Sequence, residues 1–172
     1  MEPIVLVTYA TRFGSTEEVA QAVAQTLREN RVAVELQPIR SVRSLEPYAA
    51  VVLGVPLYMT RFHKDARRFL AANRVALVKV PVALFVLGPA QRDEKDWIGA
   101  QKQLLKELAT FPWLCPVCQK VLGGKFDPEK LGFPFNMIPA LRKLPASDVR
   151  DWKAIRAWAT DVASILQPMS RT

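Results

Sequence analysis

Near the N-terminus the apolar positions run without a break: Ile4-Val5-Leu6-Val7-Thr8-Tyr9-Ala10 is β-branched or apolar almost throughout. A strand wetted on one side alternates, so a continuous run of this length belongs to a strand covered on both faces. The same signature returns at residues 49–55 (Ala-Ala-Val-Val-Leu-Gly-Val), from Pro81 to Leu87 and at Val117–Leu122, and residues 32–38 alternate weakly as a further strand. Between the strands the period changes to that of a helix. Val19, Ala20, Val23 and Leu27 mark residues 16–29, and Ala66, Phe69 and Leu70 share one face of a helix over 63–73. Trp97, Gln101, Leu104, Leu105 and Leu108 mark a third helix, and Trp152, Ile155, Trp158, Ala159, Val162 and Ile165 are expected to face inward from a closing one.

Strands alternating with helices imply right-handed crossovers and a parallel sheet with helices on both faces. The expected fold is an α/β three-layer sandwich with five parallel strands in the order 2-1-3-4-5, built as one domain over residues 1–172. One stretch breaks the rhythm. Residues 123–147 separate the fifth strand from the closing helix, far more than such a link needs. They contain Phe126, Leu131, Phe133, Phe135, Met137, Ile138, Leu141 and Leu144. So apolar an insertion either packs on the domain or offers an apolar face to a partner.

In a sheet of this order, ligands sit beyond the carboxyl ends of the strands, where the strand order reverses. After the first strand comes Thr11-Arg12-Phe13-Gly14-Ser15-Thr16. Hydroxyls and backbone N–H groups at a helix mouth form a phosphate cradle, and Arg12 adds a charged donor or a cover. The alternative is that Ser15 or Thr16 merely caps the helix, since Ser15-Thr16-Glu17-Glu18 fits a capping box. After the third strand, Pro56, Leu57, Tyr58 and Met59 can flank a flat heteroaromatic ring, or Tyr58 simply closes the sheet's end. Leu87 ends the fourth strand, and Gly88, Pro89, Ala90 and Arg92 follow it in a third loop at the same edge. The lysine of a P-loop and the three glycines of a dinucleotide fingerprint are both missing.

Two of these loops carry a resemblance. Thr11-x-x-Gly14-x-Thr16 resembles the flavodoxin phosphate loop, and Gly54-x-Pro56-x-Tyr58 resembles the flavodoxin ring-binding loop. More narrowly, the first loop, the basic apolar insertion and the pair Asp151-Trp152 are similar to the menaquinone-dependent protoporphyrinogen oxidase group of flavodoxin-like proteins. The resemblance implies flavin mononucleotide (FMN) as cofactor, held by Thr11 to Thr16, Pro56 to Met59, Leu87 to Ala90 and Arg92. It also implies an oxidoreductase passing electrons between an organic substrate, with protoporphyrinogen as candidate, and a quinone. A flavodoxin that only carries electrons, or a flavin-free domain of this fold, are the alternatives. The Pro56-Leu57-Tyr58 loop lies nearer to general flavodoxins than to the oxidase.

Composition adjusts this picture in a few respects. A net charge of +8 argues against a typical acidic carrier and suits an anionic membrane surface or a carboxylated substrate. No basic run interleaved with aromatics is present, so no nucleic-acid partner is expected. Arg61, Lys64, Arg67, Arg68 and Arg74 are expected to concentrate charge on one helix. Cys115 and Cys118 lack two further ligands for zinc, the only histidine being His63, so no metal is expected. The two thiols are read as buried or half-buried packing groups, and His63 as a surface residue. Met1-Glu2-Pro3 leads into the first strand without a basic leader, which points to a cytoplasmic protein, peripheral to a membrane if attached at all.

Overall fold

The computed structural model describes residues 2–58 and 61–169, without the side chains of 58, 168 and 169. Its parallel sheet follows the order expected from the hydrophobic pattern. β1 (Ile4–Tyr9) lies between β2 (Ala33–Pro38) and β3 (Tyr48–Tyr58), and β5 (Val82–Leu87) and β6 (Cys118–Leu122) extend the sheet beyond β3. A two-residue strand β4 (Arg61–Phe62) turns back antiparallel on β3, pairing Leu57 with Phe62.

Residue parity sends side chains to two cores. Leu6, Leu53 and Leu84 pack with Phe69, Leu70 and Leu104, from α2 (Lys64–Ala72) and α4 (Glu94–Ala109); the short α3 (Arg74–Leu77) adds Leu77. Val7, Val52 and Phe85 pack on the other face with Val23 and Leu27 of α1 (Ser15–Glu29) and with Ile155 and Trp158 of α6 (Trp152–Met169). Covering both faces is what the unbroken apolar runs required. α6 turns slightly from the expected face: Ala163 and Leu166 are buried, and Ile165 is exposed, because Leu166 follows Ile155, Ala159 and Val162 more closely around the helix. On α4 the buried side holds Ala100, Leu104 and Glu107, leaving Leu105 exposed. Arg61 stands on β4 and Arg74 opens α3, so the basic residues expected on one helix are spread over three elements.

Gly54 sits mid-strand in β3 because Phe85, fully buried against Trp158 at 5.6 Å between ring centroids, occupies the space a side chain would need. A Cβ on Gly54 would fall 2.2 Å from the Phe85 ring. Among the described residues one buried side-chain polar atom is unsatisfied. The Thr8 hydroxyl of β1 is fully buried and has no hydrogen-bond partner. Thr8→Val keeps the shape and removes the stranded donor, so it is expected to raise stability by about 1 kcal/mol. A thermal midpoint equal to or below that of the parent protein would contradict this.

The insertion is ordered chain. Its two ends pair as a ribbon, β7 (Lys125–Phe126) with β8 (Ser147–Asp148), in the antiparallel register Lys125–Asp148 and Phe126–Ser147. Between them run two single 3₁₀ turns and the short α5 (Pro139–Arg142). Leu131, Phe135 and Leu141 are half-buried, whereas Phe133, Met137, Ile138 and Leu144 are exposed. The insertion therefore both packs inward and presents an apolar outer side. No helix among the described residues is long and apolar enough to cross a membrane.

Candidate functional site

The carboxyl ends of the strands are stitched together. Ala10 N–H donates to Gly54 O at 3.0 Å, Gly88 N–H to Leu122 O at 2.9 Å, and Gly124 N–H to Pro89 O at 2.7 Å. The loops after β1, β3, β5 and β6 are thereby held around one opening. Its cavity, about 210 Å³, is lined by Thr11, Arg12, Phe13, Ser15 and Thr16, by Pro56 and Leu57, and by Leu87, Gly88 and Ala90. Ten of the fifteen candidate residues named from sequence thus line one space. Gly14 shapes the loop from behind, and Pro89 is engaged through its carbonyl with Gly124. Arg92 faces a different cavity, with Trp97, Lys120 and Asp151. The side chain of Tyr58, and Met59 altogether, lie outside the described residues.

The start of α1 decides between cap and cradle. The residue in the cap position is Gly14, in the left-handed region at φ 89°, where a side chain would be strained. No side chain caps the helix, contrary to the capping-box alternative: Ser15 and Thr16 are already inside the first turn. The Thr11 hydroxyl oxygen accepts from Gly14 N–H at 2.9 Å and holds the turn closed. An uncapped first turn leaves backbone N–H groups directed at the opening, with the positive end of the helix dipole behind them.

Sequence reasoning missed Gly124, Lys125 and Phe126, which line the same cavity from the fourth strand end at this edge. The pair Gly123-Gly124 directly after β6 was the available signal. The insertion also builds a second space of about 300 Å³ beside the first. Phe13, Ser15, Lys125 and Phe126 are common walls, and Leu131, Phe135, Ile138 and Leu141 make the rest largely apolar. Arg12 ties loop to insertion: its guanidinium lies 4.6 Å from the centre of the Phe135 ring and donates to Phe133 O at 3.4 Å.

Charge near this opening is arranged in detail. Glu18 forms an ion pair with Arg150 at 2.5 Å, and Arg150 also grips Asp148 at 2.7 Å; its side chain is only 4% exposed. The hydrogen bonds from Arg150 hold the Asp148 carboxyl below the usual carboxylate range. Burial, with Glu17 beside it, pushes the Tyr9 phenol up to about 12. His63 is not the surface residue expected. Its side chain is 11% exposed, it caps α2 by accepting from Asp65 N–H through Nδ1 at 3.2 Å, and burial lowers its pKa. Cys115 is exposed rather than packed, while Cys118 is half-buried and its Sγ accepts from Trp158 Nε1–H at 3.1 Å. No cluster capable of holding a metal occurs among the described residues.

The Flavodoxin domain family matches residues 6–138. The chain is 22% identical over 171 residues to protoporphyrinogen IX dehydrogenase [quinone] of Escherichia coli strain K12, covering 93% of this chain and 94% of that protein. Among solved structures it is similar to a short-chain flavodoxin associated with a PDU bacterial microcompartment, with a TM-score of 0.64, 15% identity and coverage of 98% and 99% of the two chains. It is also similar to flavodoxin 1 from Bacillus cereus, with a TM-score of 0.58, 17% identity and coverage of 94% and 97%. A phosphate monoester suits the donor set at α1: an uncapped first turn, three hydroxyl-bearing residues lining the opening and a glycine whose open side admits close approach. The chain belongs to the flavodoxin domain family, and FMN is the cofactor this membership implies.

Proposed function

We propose that this protein is an FMN-dependent oxidoreductase that passes electrons between a flat, carboxylated organic substrate, with protoporphyrinogen as the candidate, and a quinone. One observation carries the reading beyond a flavodoxin fold: the insertion builds an apolar cavity that shares walls with the cofactor opening. A carrier that only docks on protein partners has no use for such a space. The relative of similar length with a quinone-dependent dehydrogenase name supports the same choice.

When bound, FMN supplies the redox chemistry, and the chain supplies position and surroundings. The first turn of α1, with Thr11, Ser15 and Thr16, would hold the phosphate, while Pro56, Leu57, Tyr58 and Met59 on one side and Gly88 to Ala90 on the other would flank the ring. Arg92, which faces away, would cover the loop from outside. The opening is smaller than the roughly 300–1,000 Å³ of a site that encloses a drug-sized ligand, so the ring would stay accessible at its rim. Phe126, Leu131, Phe135 and Leu141 exclude water beside it. Lys130, which lines the second cavity, can meet a substrate carboxylate. The outer side of the insertion places Phe133, Met137 and Leu144 beside Arg142 and Lys143, with no acidic residue between 131 and 147. Apolar and cationic groups together suit an anionic lipid surface, the phase in which quinones dissolve.

The test has two stages. Purified protein, or apoprotein given FMN, is expected to be yellow with bound-flavin absorption bands, and a colourless protein that ignores FMN would sink the proposal. With FMN bound, protoporphyrinogen is expected to be oxidised with a quinone as acceptor. Flavin binding without that turnover would return the protein to the electron carriers.

A further inference from the structure

The cradle at α1 presents a problem of charge. A phosphate monoester carries about −2 near neutral pH, and the first turn of α1 that would receive it contains Glu17 and Glu18. Glu17 lies against the Tyr9 phenol. Glu18, however, lines the cavity that shares Ser15 with the cofactor opening. A bare carboxylate there would repel the phosphate at short range, and screening by salt falls away as the site becomes buried.

We infer that the two strands bounding the insertion complete the cofactor's phosphate site, with Lys125 as counter-ion of the phosphate and Arg150 as the residue that neutralises Glu18. This inference rests on the FMN reading and on three features of the ribbon. First, Lys125 on β7 lines the cofactor opening together with Thr11, Ser15 and Thr16. It is half-buried; its ammonium enters no salt bridge or side-chain hydrogen bond among the described residues, and its charge acts on Asp148 from across the ribbon. Second, the antiparallel register sets Lys125 opposite Asp148 on β8, so one ribbon delivers both charges to the same helix end. Third, Arg150, two residues after β8, is nearly inaccessible to solvent and bonds both Asp148 and Glu18 while its guanidinium lies 4.8 Å from the Trp152 ring centre. Arg150 is fully engaged and has no charge to lend. Lys125 makes no salt bridge of its own, and the one carboxylate recorded to feel its charge, Asp148, is already bound by Arg150. Division of labour follows: one cation cancels the acid built into the helix, and the other meets the ligand.

The strand β7 thus does for the cofactor what its sequence position did not announce. The insertion is part of the flavin site at its base, even though its tip lies elsewhere. Lys125→Met tests the first half, read as FMN affinity of the apoprotein by quenching of flavin fluorescence. A charge-assisted contact to a phosphate contributes about 1.5–3 kcal/mol, so the dissociation constant is expected to rise about tenfold to a hundredfold. Riboflavin, which has no phosphate, is expected to bind the variant and the parent equally. The salt dependence of FMN affinity is expected to flatten in the variant. Equal loss for riboflavin and FMN would overturn the assignment and point to damage at the ring or the loop. Unchanged FMN affinity would overturn it as well. A parent protein that binds neither flavin would instead refute the FMN reading itself.

The second half is read from a pair of variants. Arg150→Met is expected to weaken FMN binding, and adding Glu18→Gln is expected to restore most of that loss. Since Arg150 is buried and its removal can disturb the fold, Glu18→Gln alone provides an independent measure. With its carboxylate gone, it is expected to bind FMN at least as tightly as the parent. A Glu18→Gln protein that binds FMN several-fold more weakly would show that Glu18 serves the site directly and that Arg150 does not act by neutralising it.

Discussion

Replacing Glu107 by alanine is expected to destabilise the fold by about 2–4 kcal/mol and to loosen β4 where it pairs with β3. Glu107 stands on α4 with its residue 5% exposed, and one carboxylate oxygen accepts from both Phe62 N–H at 3.2 Å and Arg67 Nη1 at 2.6 Å. Removing it strands a buried backbone donor, which costs about 1–3 kcal/mol, and leaves the Arg67 charge without its pair. Breaking a fully buried pair costs about 3–5 kcal/mol. The Arg67 side chain is 37% exposed and can rehydrate, so the sum stays below that limit. Set against a total stability of about 5–15 kcal/mol for an ordinary domain, the loss is large.

The consequence reaches the site through β4. Phe62 pairs with Leu57, and Leu57 lines the opening proposed for the cofactor. Glu107→Ala is therefore expected to weaken FMN binding as well as stability, whereas Glu107→Gln, which keeps an acceptor for Phe62 N–H, is expected to lose about half as much. Arg67→Met is expected to cost more than Glu107→Gln, because it leaves the Glu107 carboxylate, with a side chain 7% exposed, buried without its cation. Urea unfolding followed by tryptophan fluorescence measures all three. An unfolding midpoint of Glu107→Ala within error of the parent would remove Glu107 from this role.

Nothing in the sequence marks Glu107. It sits in Lys106-Glu107-Leu108, and a charged residue in an amphipathic helix reads as a solvated one until the neighbouring elements are in place. The strands were legible because burial on both faces writes itself as an unbroken apolar run, as at Ile4–Tyr9 and Val82–Leu87. The order of the sheet followed from the alternation with helices, and the opening followed from the order. What failed was local and polar. Ser15 and Thr16 carry the letters of a cap, yet Gly14 takes that place in a left-handed conformation that glycine adopts without strain. Lys125 and Phe126 were not placed at the site because a two-residue strand has no period to detect, and its partner lies some twenty residues away. Arg92 points elsewhere because the loop after β5 turns toward Gly124 at Pro89, before Arg92 is reached. His63 reads as a lone exposed histidine until α2 begins immediately after it and requires a cap.

Shortening the insertion to a tight turn is expected to separate cofactor binding from substrate chemistry. The ribbon makes this possible: Phe126 and Ser147 are paired neighbours, so residues 127–146 can be replaced by Asn-Gly, whose type I′ geometry suits a two-residue hairpin. The shortened protein keeps the sheet, the first turn of α1, Lys125, Asp148 and Arg150. It loses Leu131, Phe135, Ile138 and Leu141, and with them the second cavity, together with the exposed Phe133, Met137 and Leu144. Arg12 also loses the Phe135 ring, a cation–π contact of about 0.5–1 kcal/mol at an exposed site, so FMN affinity is expected to change by no more than a few-fold. Oxidation of the organic substrate is expected to fall much further, by at least about a hundredfold in kcat/KM, the equivalent of about 2.7 kcal/mol of lost transition-state binding. Reduction of a small soluble acceptor that needs only the rim of the opening is expected to persist. The same protein is expected to stop sedimenting with anionic vesicles if the intact chain does so, because the apolar side chains and Arg142 and Lys143 leave together. Undiminished substrate turnover by the shortened protein would place the substrate elsewhere and reduce the insertion to a structural appendage. Loss of FMN along with turnover would mean that the cavity and the cofactor site are one, and that the shared walls Phe13, Ser15, Lys125 and Phe126 belong to a single undivided pocket.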